Sequence, residues 1–197
     1  MTGPPLLVVL TGPSGAGKDS VLDELRRLPD RPYAFGITAT TRPPRPYERD
    51  GEHYYFVSPD EFQAMIEDGE LLEHARVYDY TYGVPRRPIR ERLAAGNDVL
   101  IRTDVQGARH IGSVVTGAVT IFISAPSREE LERRLRQRGG DTEEQVALRL
   151  RTAHDEMEQA GDFDYTVVND DLDRCVREVD SIIERERSRP GREPVTL

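Results

Sequence analysis

Short apolar runs alternate with amphipathic stretches along most of the chain. Leu6-Leu7-Val8-Val9-Leu10, halted by a glycine-rich stretch, predicts a buried strand over residues 6–10. Val21, Leu22, Leu25 and Leu28 then recur at helical spacing. Strands are predicted over 35–39 and 53–57. Ser58-Pro59-Asp60-Glu61 reads as a helix start: a capping serine, a proline in the first turn and a glutamate three residues on. That helix carries Phe62, Met65 and Ile66 and ends near Gly69. Residues 71–77 read as extended, and 86–95 as a helix closed by Gly96. The runs at 99–101 and 119–123 predict two more buried strands. Ser127 and Glu130, in capping-box spacing, open a helix over 127–138. After a glycine break come a charged helix (142–159), a strand (165–168) and a last helix (172–187).

Strands alternating with helices predict an α/β fold with a parallel sheet and helices on both faces. Residues 35–82 differ: they are strand-rich and polar, and they read as an insert forming its own lobe. The chain has 197 residues, enough for one domain with a sizeable core. Residues 4–5 and the arginine- and proline-rich end at 188–197 read as loose termini. No run is long enough to span a membrane, and the first residues lack the basic region of a signal peptide. A single cysteine, Cys175, excludes an internal disulfide and fits a reducing cytoplasm; it reads as a small helical packing residue. A net charge of −9, from 27 basic and 36 acidic residues, argues against general nucleic-acid binding. Lys18 is the sole lysine; every other basic residue is arginine.

That lysine sits in Gly12-Pro13-Ser14-Gly15-Ala16-Gly17-Lys18-Asp19-Ser20, between the first strand and the first helix. This is the context a phosphate loop requires. Glycines let the backbone turn its N–H groups inward around a polyphosphate, and the helix N-terminus adds favourable dipole charge. Lys18 supplies a compact cation for the β and γ phosphates of ATP. The strict pattern places Ser or Thr directly after the lysine, to hold Mg²⁺. Here Asp19 stands there and the hydroxyl comes one later, at Ser20.

A second constellation begins at Thr38. Arg42 and Arg45, three apart with tyrosines nearby, suit an anion clamp, because guanidinium forks match phosphate oxygens in pairs. The same residues could equally form a solvated basic loop. Here the chain resembles the guanylate kinase family. The likeness is carried by Thr40-Thr41-Arg42, Arg45, Glu48, Gly51, Tyr54 and Phe56. It continues through Leu72-Glu73, Tyr82-Gly83, Asp104-Val105-Gln106-Gly107, Pro126-Ser127 and Asn169-Asp170-Asp171-Leu172. It runs from about Leu6 to Arg187.

The resemblance implies a P-loop three-layer fold: a core of about 5–34, 83–132 and 150–187, a strand-rich GMP-binding lobe of about 35–82, and a small helical lid of about 133–149. It implies ATP-dependent phosphorylation of GMP, and of dGMP, with Mg²⁺. Arg42, Arg45, Tyr54 and Tyr82 would hold the GMP phosphate. Glu73 and Asp104 would accept from the guanine pairing edge, and Thr38 would donate to its O6. Arg134, Arg138 and Arg149 match the lid arginines brought over the triphosphate, with Gly139-Gly140 as hinge, and Asn169-Asp170 the loop around adenine. Three positions depart from the family: Asp19, Val84 (usually Ser or Thr) and Arg102 (usually acidic). Asp19 and Arg102 are expected to pair and compensate each other. Two rival readings are a ribose 1,5-bisphosphate phosphokinase, which shares lysine–aspartate–serine, and a non-catalytic guanylate-kinase-like binding module.

Overall fold

The computed structural model describes residues 3–29, 31, 33–77, 79–137 and 142–197. The elements in chain order are β1 (Leu7–Thr11), α1 (Lys18–Arg27), β2 (Tyr33–Phe35), β3 (Thr38–Thr40), β4 (Tyr54–Phe56), α2 (Pro59–Glu67), β5 (Leu71–Val77), β6 (Tyr80–Pro85), α3 (Arg86–Ala94), β7 (Asp98–Arg102), α4 (Val105–Val114), β8 (Ala118–Ser124), α5 (Arg128–Gln137), α6 (Glu143–Glu158), β9 (Tyr165–Val168) and α7 (Leu172–Ser188). Two sheets form. One is parallel, in the order β2-β7-β1-β8-β9; the other is mixed, in the order β4-β3-β6-β5.

Alternation along β1 builds the three layers. Leu6, Val8 and Leu10 pack to one side with Val21 and Leu25 of α1 and Val176, Val179 and Ile183 of α7. Leu7 and Val9 pack to the other with Ile89 of α3 and Val105, Ala108 and Ile111 of α4. Successive strand residues point to opposite faces, so a strand apolar throughout must be covered twice. Cys175 is part of the first of these layers and fully buried. The second sheet has its own small core, in which Ala39, Phe62 and Leu71 pack with Tyr55, Val57, Met65 and Ile66.

The boundaries explain themselves locally. Ser58 makes both bonds of its capping box with Glu61, and Thr142 does the same with Gln145. Three expectations change. The strand read over 35–39 is two strands in different sheets: Phe35 pairs with Leu100, whereas Thr38 pairs with Tyr54, and the chain crosses between sheets at Gly36–Ile37. At Ser127 only half of a capping box forms. Its hydroxyl accepts from the Glu130 N–H, but the Glu130 carboxylate turns to Arg133 and Arg134 instead. The end at 188–197 is fastened rather than loose. Arg192 is buried and donates to the carbonyls of Pro4 (2.6 Å), Pro5 (2.9 Å) and Gly117 (3.1 Å), tying both termini to the core.

Candidate active site

In an open parallel sheet, ligands bind at the carboxyl ends of the strands where the connections diverge. From β1 the chain leads towards β2, and from β8 it leads to β9 on the other side. The loop 12–17 lies at that point. Gly17 is the helix N-cap in a left-handed conformation (φ 92°), so α1 starts at Lys18 with its N-terminal amides towards the loop. The Lys18 ammonium curls back, donating to the carbonyls of Gly12 (2.5 Å) and Pro13 (3.0 Å). A phosphate entering the loop would take over these bonds.

The loop is held from behind. The buried Asn169 donates its side-chain amide to the Ala16 carbonyl at 2.7 Å, while its own backbone carbonyl accepts from Arg134 at 2.9 Å. Arg134 also donates to Glu130 at 2.7 Å. The Asn169 amide therefore supports the loop, and Arg134 is fixed beside it. Asp170 is exposed and paired with Arg174. A Cβ on Gly17 would fall 2.3 Å from the Asn169 amide nitrogen, and φ is already positive there. Gly17→Ala should therefore lower stability by about 1–3 kcal/mol, read as a fall of several degrees in Tm. An unchanged melt would show that the Asn169 contact yields freely.

The residues expected to hold the acceptor converge on the second sheet. One terminal nitrogen of Arg42 donates to both Glu48 carboxylate oxygens (2.8 and 2.9 Å), and Arg42 also hydrogen-bonds Tyr82. Burial disfavours the charged Glu48, yet the Arg45 N–H and the Arg42 guanidinium hold its carboxyl below the ordinary range. Tyr54 stands in register with Thr38; its ring is 6.1 Å from that of Tyr82 and 5.4 Å from the Arg42 guanidinium. Arg45 is exposed and donates to the Tyr47 hydroxyl at 3.1 Å. Beside this cluster is a cavity of about 540 Å³ whose lining includes Glu73, Asp104, Gly107 and His110. The Glu73 carboxylate lies against α4, since a Cβ on Gly107 would fall 2.7 Å from it. Burial, with the Asp104 charge facing it, pushes the Glu73 carboxyl up to about 8. Asp104 caps α4, accepting from the Gly107 N–H at 2.7 Å. Val84 is buried in the core with Leu72 and Ile89.

Helices α5 and α6 pack through Leu131, Leu135 and Ala153. Arg149 lies half-buried on α6. Arg138, Gly139 and Gly140 lie outside the described residues. Two contributors carried no role in the sequence reading. Glu48 orients Arg42, and its place in the Arg42–Glu48 spacing was the available signal. Glu156 of α6 accepts from the Ser14 N–H of the phosphate loop; burial pushes its carboxyl up to about 7, with the Lys18 charge opposing and that of Asp104 adding. One glutamate in a highly charged helix gave no signal of its own. The expected pairing of Asp19 with Arg102 is present.

A phosphate loop at the carboxyl edge of a parallel sheet, facing a lobe that gathers arginines and tyrosines, defines the class of small phosphate-loop kinases. The comparisons narrow this. The family model for guanylate kinase matches residues 5–186. The guanylate kinases of Xylella fastidiosa (strain Temecula1) and Desulfitobacterium hafniense are 46% and 44% identical, over 93% and 96% of this chain and 89% and 94% of theirs. The crystal structure of guanylate kinase from Anaplasma phagocytophilum superposes with a TM-score of 0.80 at 30% identity, covering 96% of this chain and 90% of that one. The chain belongs to the guanylate kinase family.

Proposed function

We propose that the protein transfers the γ-phosphoryl group of ATP to GMP, and to dGMP, giving ADP and the nucleoside diphosphate. Membership of the family supports the reaction; the observation that carries the acceptor's identity is the pair of carboxylates, Glu73 and Asp104, in one cavity beside the arginine–tyrosine cluster. Guanine's pairing edge offers N1–H and an amino group, both donors, and carboxylates are acceptors. Adenine lacks the N1–H and would leave a buried acceptor unmatched.

In this reading Lys18 and the loop amides hold the β and γ phosphates, and Asn169 with Asp170 flanks the adenine. Arg42, Arg45, Tyr54 and Tyr82 hold the acceptor phosphate. An oxygen of that phosphate attacks the γ-phosphorus in line while the bond to the ADP oxygen breaks. The nucleophile is already ionised at neutral pH, so no general base is required. Catalysis is positioning plus charge neutralisation by Lys18, Arg42, Arg134, Arg138 and Arg149, with about 133–149 as the lid. Among the described residues no group of three or more His, Cys, Asp or Glu side chains could hold a metal ion by itself. Mg²⁺ would enter here as a companion of ATP, with the exposed Ser20 hydroxyl as the hard-oxygen ligand this chain would supply. When bound it neutralises charge on the β and γ phosphates. No described helix is long and apolar enough to cross a membrane. We place the reaction in the cytoplasm, whose reducing conditions the single cysteine fits.

A coupled ADP-release assay with GMP, dGMP, AMP and ribose 1,5-bisphosphate tests this. GMP and dGMP should be turned over at least about 10²-fold more efficiently than AMP, the margin expected when a buried polar group is left unmatched. Fastest turnover of ribose 1,5-bisphosphate would replace the acceptor. No turnover with any of them would make the protein a binding module.

A further inference from the structure

Neither the phosphate loop nor the acceptor cluster accounts for Arg102, the last residue of β7. It is in register with Leu10 of β1, so it leaves the sheet beside the phosphate loop. Its side chain is 27% exposed and pairs with Asp19, in the first turn of α1. Its other terminal nitrogen donates to the Tyr54 hydroxyl at 2.5 Å, and the guanidinium lies 5.7 Å from the centre of the Tyr54 ring. Tyr54 belongs to the other sheet and faces Arg42 and Tyr82. One planar fork thus touches the helix of the donor side and a tyrosine of the acceptor side.

The pairing with Asp19, whose side chain is 54% exposed, adds little stability by itself. Its consequence is geometric. A phenol has one proton to donate and two lone pairs that accept. Arg102 occupies the oxygen as a donor, which leaves the Tyr54 proton to seek an acceptor elsewhere, and the guanidinium charge strengthens that donation. Burial raises the Tyr54 pKa, so the phenol keeps its proton.

We propose that Arg102 is a positioning residue for the acceptor phosphate: anchored by Asp19, it holds the Tyr54 hydroxyl as a donor to that phosphate and so couples the acceptor site to the phosphate-loop helix. This rests on the reading of Tyr54 as a phosphate-binding residue. A lysine would not replace the arginine, because only a planar fork reaches both partners with separate nitrogens. The usual reading of such a charge pair, compensation of the acid beside Lys18, predicts an effect on ATP instead.

The test is steady-state kinetics of Arg102→Met, Arg102→Lys, Tyr54→Phe and the double variant Arg102→Met/Tyr54→Phe, with KM for GMP and for ATP measured separately. Tyr54→Phe and Arg102→Met should each raise KM for GMP about tenfold, the effect of one charge-assisted hydrogen bond, with KM for ATP within about twofold. The double variant should be no worse than the worse single one, because both changes remove the same contact. Arg102→Lys should recover less than half of the loss. An Arg102→Met enzyme with unchanged KM for GMP, or with the loss on ATP, overturns the proposal; so do effects that multiply. A Tyr54→Phe enzyme with the parent KM for GMP overturns the phosphate-binding reading and this inference with it. An effect at Tyr54 without one at Arg102 overturns the inference alone. Should Arg102→Met fail to give a cooperative melt, Arg102→Gln carries the same comparison.

Discussion

Lys18→Met should lower kcat by on the order of 10³-fold while leaving the fold intact, the largest loss expected from one side chain in this protein. Such a factor corresponds to about 4 kcal/mol of transition-state stabilisation. The fold should survive because the ammonium sits at the mouth of the loop, where it donates to the carbonyls of Gly12 and Pro13. In the free enzyme it satisfies the mouth of the loop; in the proposed reaction it would follow charge as it gathers on the γ-phosphoryl oxygens. A second measurement comes from its being the sole lysine. An amine-directed reagent has one side-chain target here besides the α-amino group. ATP should protect that target and GMP should not. Equal protection by both nucleotides, or a Lys18→Met enzyme with near-parent kcat, would move the triphosphate away from this loop.

The parts of the fold legible in the sequence are those whose local and tertiary demands agree. β1 is apolar from Leu7 to Leu10 because both of its faces are covered, and α2 has its capping box, proline and apolar spacing all pointing to one start. The loop of Gly12 to Ser20 could be read because its chemistry demands contiguous residues. Two elements were not legible. β6 reads Tyr-Thr-Tyr-Gly-Val-Pro, with a glycine and a proline that argue against a strand; its pairing with β5 and β3 overrides them. α4 carries two glycines, Gly107 and Gly112, that hid it. Its signals were present in the Asp104 cap and in Val105, Ala108 and Ile111 at intervals of three. Of the site, residues contributed by distant segments escaped. Glu156 meets Ser14 only because α6 folds back over the loop, and no spacing along the chain encodes that. Arg102 and Asp19 could be paired from the sequence because opposite changes at two otherwise patterned positions suggest a shared cause. The contact with Tyr54 could not, since it depends on how the two sheets meet.

Glu73→Gln should raise KM for GMP by about 10²-fold and remove most of the preference for GMP over IMP, with a much smaller change in kcat. The carboxylate accepts on both oxygens; the amide that replaces it offers one acceptor and one donor, and the donor meets the donors of guanine. IMP keeps N1–H but lacks the amino group, so its ratio to GMP reads the second contact. The same substitution should alter pH behaviour in two ways. Burial and the Asp104 charge hold the Glu73 carboxyl at about 8, so much of the free enzyme carries it protonated at neutral pH. Guanine requires the ionised form, so GMP binding must release that proton, and KM for GMP should fall as pH rises from 7 to 9. The nucleotide phosphate has finished its second ionisation by then, its pKa lying near 6. In Glu73→Gln the profile should be flat over this range. Stability moves the other way. A carboxyl raised from about 4.5 in the unfolded chain to about 8 in the native one binds its proton more tightly in the native state. Its contribution is therefore fully present below about 4.5 and is lost as pH rises through about 8. The ligand-free parent should accordingly lose Tm between pH 6 and 9, and Glu73→Gln should lose less, ending about 1–3 kcal/mol more stable than the parent at pH 9. A variant that binds GMP poorly yet melts higher at alkaline pH marks a carboxylate kept ionisable for its ligand at the expense of the fold. Parallel pH profiles in parent and variant would assign the titration to another group, of which Glu156, held at about 7 against the phosphate loop, is the first to replace.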